Sequence, residues 1–167
     1  MKNITISRHA KSSWDNPNLT DFERTLNQRG TRDAEFMSNL IAKMLPKPDL
    51  FFSSPAQRAY ETSLYYAQAF GMSEKEIIYD KGIYDKGIRY IINTIQILSD
   101  AHQNIFLIGH NPDLTAFCSA FSGQYFDNIP TSGVVSIDFD VNTWKEAMQK
   151  IGTLKFYEYP KKYFKKD

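Results

Sequence analysis

Two arginines and two histidines in this 167-residue chain are of the kind that handles phosphate. Arg8 and His9 stand side by side near the start, Arg58 follows Ser53-Ser54-Pro55-Ala56-Gln57, and His110 precedes Asn111-Pro112. An arginine offers planar, forked donors that match phosphate oxygens. A neutral imidazole is a competent nucleophile towards phosphorus. Fixed cationic donors stabilise the charge that spreads over the equatorial oxygens during transfer. The residue types therefore predict that His9 attacks a phosphoryl group, that Arg8 and Arg58 clamp it, and that His110 donates to it in the transition state. Ser12, close behind His9, could add a hydroxyl to the same anion.

These residues are far apart in the chain, so a fold must gather them. Asn3 to Ser7 reads as a strand. Asn27 caps a helix whose apolar members Ala34, Met37, Leu40, Ile41, Met44 and Leu45 recur at helical spacing, and Pro46 and Pro48 stop it. Asp49 to Ser53 is a short apolar strand. Ser54, Pro55 and Gln57 read as N-cap, first helical residue and capping box of a helix that runs to Phe70, before Gly71. Glu76 to Tyr79 is a weaker strand, Ile88 to Leu98 a helix, and Asn104 to Gly109 a buried strand. Asn111-Pro112 opens the next helix, and Gly123 lies past its end. Val134 to Phe139 and Leu154 to Tyr159 alternate as strands with no clear helix between them, so one is expected to run antiparallel.

Strand and helix alternate through residue 122, which predicts an α/β fold with a largely parallel sheet covered on both faces. In such sheets ligands bind beyond the carboxyl ends of the strands. Arg8, His9, Arg58 and His110 all fall there, with helix starts at Ser54 and Asn111, whose free N–H groups suit anions.

The motifs resemble the histidine phosphatase superfamily, the phosphoglycerate-mutase-like branch 1. Ser7-Arg8-His9-Ala10-Lys11-Ser12 is similar to its Arg-His-Gly signature, with Ala10 in place of the usual Gly, as in the small SixA-type phosphohistidine phosphatases. The stretch from Asp21 to Gly30 resembles the family's segment before its first helix. Ser53 to Ala59, Ile108 to Pro112 and Ile129 to Gly133 resemble its second arginine motif, second histidine motif and late turn. The resemblance implies a three-layer α/β/α sandwich, a phosphohistidine intermediate on His9, and neither metal nor other cofactor. Mutase-like relatives carry a glutamate general acid in a Leu-x-Glu stretch, for which Ile83-Tyr84-Asp85 is the best match here. Asp85 is thus a candidate acid, and equally a loop residue of Tyr84-Asp85-Lys86-Gly87.

An imidazole leaving group needs less acid catalysis than an alkoxide. The expected substrate is accordingly a phosphohistidine on a protein, such as a histidine phosphotransfer domain. A small phosphoester, with Asp85 as acid, is the alternative, and a non-catalytic phosphate-binding module a third reading. Trp14 and Tyr84 could line a rim, Tyr65 and Tyr66 read as core or half-buried, and Arg24 and Arg29 read as loop anchors.

Composition excludes other classes. With 20 Lys+Arg against 19 Asp+Glu the net charge is +1, which offers no electrostatic footprint for nucleic acid. One cysteine, Cys118, cannot form an internal disulfide and reads as a buried thiol. His102 falls at the wrong end of its strand to join His9 and His110 on a metal. No apolar run is long enough for a membrane span, and Met1 to Lys11 lacks a signal-peptide core. The expectation is a cytoplasmic monomer with one domain over residues 1–160 and a solvated basic tail over 161–167, which holds four Lys and one Asp.

Overall fold

Alternation along the strands assigns each side chain to one of two cores. A computed structural model describes residues 1–165; Lys166 and Asp167, the end of the expected tail, lie outside the described residues. Six strands form one sheet: β1 (Lys2–Arg8), β2 (Leu50–Ser53), β3 (Ile77–Tyr79), β4 (Asn104–Gly109), β5 (Val134–Phe139) and β6 (Thr153–Glu158), in the order β3-β2-β4-β1-β5-β6. The first four are mutually parallel, β5 runs antiparallel to β1, and β6 antiparallel to β5. The fold is mixed α/β, as the alternation of elements predicts.

Ile4, Ile6, Phe52, Ile105, Leu107, Val135 and Ile137 point to one face. There they meet α4 (Gly87–Gln96), α5 (Asp113–Phe121) and α6 (Trp144–Ala147) through Ile91, Ile95, Leu114, Phe117, Phe121 and Trp144. Phe51, Phe106, Ile108 and Val134 point to the other face. They pack on α1 (Gln28–Met44) and α2 (Gln57–Phe70) through Met37, Ile41, Ala59, Tyr66 and Phe70. This is the period-2 consequence of a pleated strand, and it makes the sandwich three layers deep. Cys118 lies in the first core, fully buried, and burial pushes its thiol pKa up.

Asn27 caps α1 by accepting from Gly30 N at 2.8 Å, and α2 stops at Gly71 with φ 70°. Gly30 is required for a different reason. A Cβ there would stand 2.0 Å from the Lys11 carbonyl oxygen, so only glycine lets α1 press against the segment that follows His9.

Three expectations need correction. Helix α2 begins at Gln57, with Ala56 at the cap position and no side-chain cap. Ser54 accepts instead from Ala56 N at 3.1 Å within the preceding turn, which leaves its hydroxyl facing His110. A one-turn helix, α6, does lie between β5 and β6. The tail divides by residue type: Lys161, Lys162 and Lys165 are exposed, whereas Phe164 packs on Phe36 of α1 at 4.9 Å and beneath the Arg32 guanidinium at 4.0 Å. Aromatic burial outweighs the solvation of the neighbouring charges.

Candidate active site

Parallel pairing of β1, β4 and β2 brings their carboxyl ends into line, with Arg8 in register with Gly109 and Ser53 with Ile108. His9 leaves β1 and His110 leaves β4 at the same edge, while Arg58 sits in the first turn of α2. His9, Arg58 and His110 are all buried, at 6%, 5% and 7% exposure. Their ring and guanidinium atoms meet: Arg58 Nε donates to His9 Nε2 at 3.3 Å, Arg58 Nη2 lies 3.4 Å from His110 Nδ1, and the two imidazole centroids are 5.0 Å apart.

The backbone around His9 is fixed on every side. His9 N donates to Gly109 O at 3.1 Å, Ser132 N donates to His9 O at 3.1 Å, and Ala10 N donates to Thr62 Oγ1 at 3.0 Å. His9 Nδ1 lies 2.7 Å from the Ala10 carbonyl. A carbonyl only accepts, so Nδ1 carries the proton and Nε2 keeps its lone pair. Nε2 is the atom that faces Arg58.

Arg8 reaches the same space from β1. Its Nη1 donates to Ile129 O at 3.0 Å, and its buried Nε has no hydrogen-bond partner among the described residues. A buried, unspent guanidinium donor is costly unless an anion uses it. Burial and the nearby Arg58 lower the Arg8 pKa from its ordinary value.

Both imidazoles are held neutral. Burial first, then His110, Arg58 and Arg8, lowers His9 well below the usual 6.5, although its bond to Ala10 opposes the shift. Burial and then Arg58 lower His110 to about 3. A histidine whose folded pKa is depressed binds its proton more readily when unfolded. Stability is therefore intact above about pH 6.5 and falls as pH drops below it, by up to about 1.4 kcal/mol per pH unit for each imidazole. Urea unfolding at pH 7.5 and pH 5.5 checks this: the midpoint should fall at the lower pH, and an unchanged midpoint would refute neutral burial.

Ser12, another candidate, is 5% exposed and accepts from Arg24 Nη1. Arg24 in turn pairs with Asp21 at 3.1 Å and lies over the Trp14 ring at 3.7 Å. Arg24 thus anchors the loop before α1, as expected, and Arg29 pairs with Asp33 at 3.9 Å. His102 stands apart, at the amino end of β4. Tyr66 is in the core and Tyr65 half-buried.

Asp85 is not brought to this site. It ends α3 (Gly82–Asp85), is exposed, and its side chain makes no hydrogen bond among the described residues. The short helix turns its neighbour Tyr84 inwards instead, with its ring 5.3 Å from His110 and its hydroxyl donating to Asp21 Oδ2 at 2.8 Å. Two contributors were missed in sequence. Asp21 forms a 3.0 Å ion pair with Arg58 and lies in the Asp21–Gly30 segment already singled out by resemblance. Ser54 Oγ lies 2.7 Å from His110 Nε2, but its capping signature disguised that role. Among the described residues no group of His, Cys, Asp and Glu is placed to hold a metal, and no helix is long and apolar enough to cross a membrane.

A family model described as the histidine phosphatase superfamily, branch 1, matches residues 4–85, which include Arg8, His9 and Arg58. The whole fold superposes with a TM-score of 0.80 on a protein from Agrobacterium tumefaciens described as a candidate phosphohistidine phosphatase SixA. The two are 28% identical over 95% of this chain and 98% of the other. This chain belongs to the histidine phosphatase superfamily. It is a phosphatase of the SixA-like kind, and hydrolysis of a phosphoryl group is its chemistry. The phosphatase is also 27% identical to an uncharacterized chloroplastic protein of Arabidopsis thaliana, over 90% of its own length and 72% of the relative's. A mycobacterial glucosyl-3-phosphoglycerate phosphatase shares the fold at 11% identity, with a TM-score of 0.65 and coverage of 95% of the phosphatase and 100% of that chain.

Proposed function

We propose that the phosphatase removes the phosphoryl group from phosphohistidine on a protein, through a phosphohistidine intermediate on His9. The observation that carries this reading is the unprotonated His9 Nε2, held among Arg8, Arg58 and His110 with the ring fixed by Ala10. In the first step the Nε2 lone pair bonds to phosphorus while the bond from phosphorus to the substrate imidazole breaks. The substrate imidazole leaves neutral when its other nitrogen carries a proton. Water then bonds to phosphorus, the P–Nε2 bond breaks, the lone pair returns to His9, and the water's proton leaves with orthophosphate or solvent. Arg8 and Arg58 hold the equatorial oxygens throughout. Arg58 Nη2 only donates, so in the free site His110 Nδ1 accepts and Nε2 donates to Ser54 Oγ. In the other tautomer Ser54 donates to Nε2 across the 2.7 Å contact, and Nδ1 donates to the phosphoryl oxygens once Arg58 Nη2 has turned to them.

The placement of the two candidate carboxyls among the described residues, Asp85 and Asp21, supports phosphohistidine over an ester. Asp85 is exposed and outside the cluster. Burial raises the Asp21 pKa, but hydrogen bonds from Tyr84, Arg24 and Arg58 outweigh it and hold the carboxyl at about 2. Asp21 is thus ionised near neutral pH, and Asp85 does not reach the cluster, so neither serves as the acid for an alkoxide. The likeness to the SixA protein, by name a phosphohistidine phosphatase, points the same way.

The test is kcat/KM on a phosphorylated histidine phosphotransfer domain and on a panel of small phosphate esters. We expect a preference for the protein of at least about a hundredfold, unchanged by Asp85→Asn, because an imidazole leaves without an enzymic acid. Preference for an ester, lost in Asp85→Asn, would establish the small-molecule alternative.

A further inference from the structure

Arg58, the central donor of the site, is already engaged by an anion of its own chain. Its Nη1 donates to the Asp21 backbone oxygen at 2.6 Å and its Nη2 to Asp21 Oδ2 at 3.0 Å. The carboxylate is held from three directions: by Tyr84 of α3, by Arg58 of α2, and by Arg24, which closes the turn at Asp21–Glu23. Its side chain is nevertheless 49% exposed, so the carboxylate is hydrated when it turns aside, and the buried Arg58 guanidinium is left for an incoming anion. The same Nη2 lies 3.4 Å from His110, and Nε faces the His9 lone pair. The donors on which a transferring phosphoryl group depends are those beside which Asp21 sits.

We propose that Asp21 is a resident counter-anion on Arg58, a positioning and specificity residue that competes with free oxyanions for the clamp and hastens release of orthophosphate. Two anions on one guanidinium repel each other, so each weakens the other's hold. The competition does not fall equally on every species. The covalent intermediate is held by its P–Nε2 bond, whatever the affinity of the clamp. Free orthophosphate is held only by the donors, and Asp21 takes its place on Arg58 as it departs. The ionised state of Asp21 in the free site agrees with this role.

The proposal rests on reading Arg58 as part of the phosphate clamp, and one experiment separates the two. Orthophosphate is titrated calorimetrically into the full chain as wild type, Asp21→Asn, Asp21→Ser and Arg58→Ala. Both Asp21 variants remove the charge but keep the backbone carbonyl that holds Arg58 Nη1, and Ser serves should Asn fold poorly. We expect each to bind orthophosphate at least about tenfold more tightly, since a like charge beside the anion is removed. Their product-inhibition constants should fall in parallel. Mere loosening of the site would weaken binding, so a gain in affinity is not a structural side effect. Unchanged or weaker binding in both Asp21 variants, with Arg58→Ala weakened, overturns the counter-anion and leaves the clamp. A fall in kcat with unchanged affinity for orthophosphate also overturns it and makes Asp21 a proton carrier. Binding insensitive to Arg58→Ala overturns both readings.

Discussion

His9→Ala should retain no more than about one ten-thousandth of wild-type turnover, and should form no phosphoenzyme. An attacking residue that works as a unit with its neighbours has an effect of this order when removed. The frame around His9 is made by backbone groups of His9, Gly109, Ser132 and Ala10 and by the Thr62 hydroxyl. Truncating the imidazole leaves that frame intact, so the loss reports chemistry rather than unfolding. The measurement is a rapid quench with labelled phosphoryl donor. Wild type should show an acid-labile, alkali-stable protein-bound label, as a phosphoramidate requires. Label that survives in His9→Ala would place the nucleophile elsewhere.

Arg58→Ala should lower kcat by about a hundred- to a thousandfold, the usual cost of removing one preorganised donor from the transition state. It should slow both formation and breakdown of the phosphoenzyme, because the transferring group has the same equatorial oxygens in both steps. It should also free the loop at Asp21–Glu23, which Arg58 holds through the Asp21 carbonyl and carboxylate. Faster amide exchange at residues 20–24, with unchanged exchange in β1 and β4, would show that. Stability should change little, because the carboxylate left behind is half-exposed. Activity within tenfold of wild type would remove Arg58 from the phosphoryl clamp.

The strands and the positions of Arg8, His9, Arg58 and His110 are legible in sequence because each depends on a local signal. An apolar run ends at a polar residue, and parallel topology does the rest. What the sequence hides is set by side-chain direction over a few residues. Asp85 and Tyr84 are adjacent, and only the one-turn helix Gly82–Asp85 decides which of them faces inwards. Ser54 carries a sound capping signature, yet the chain takes a turn through Pro55 and Ala56 before the helix starts, and the hydroxyl goes to His110. Asp21 lies in a loop without periodicity, and its ion pair with Arg58 spans 37 positions. Phe164 was obscured by the lysines around it.

The 2.7 Å contact between His9 Nδ1 and the Ala10 carbonyl has a regiochemical consequence. Histidine can be phosphorylated on either ring nitrogen, and the two isomers differ in lability and in the reagents that recognise them. A ring flip that turned Nδ1 away from Ala10 would break that bond and set the Cδ2–H edge of the ring against the carbonyl in its place. The ring is therefore locked, and on the reading above the enzyme-bound phosphoryl group forms as a single isomer, on Nε2, whichever isomer the substrate carries.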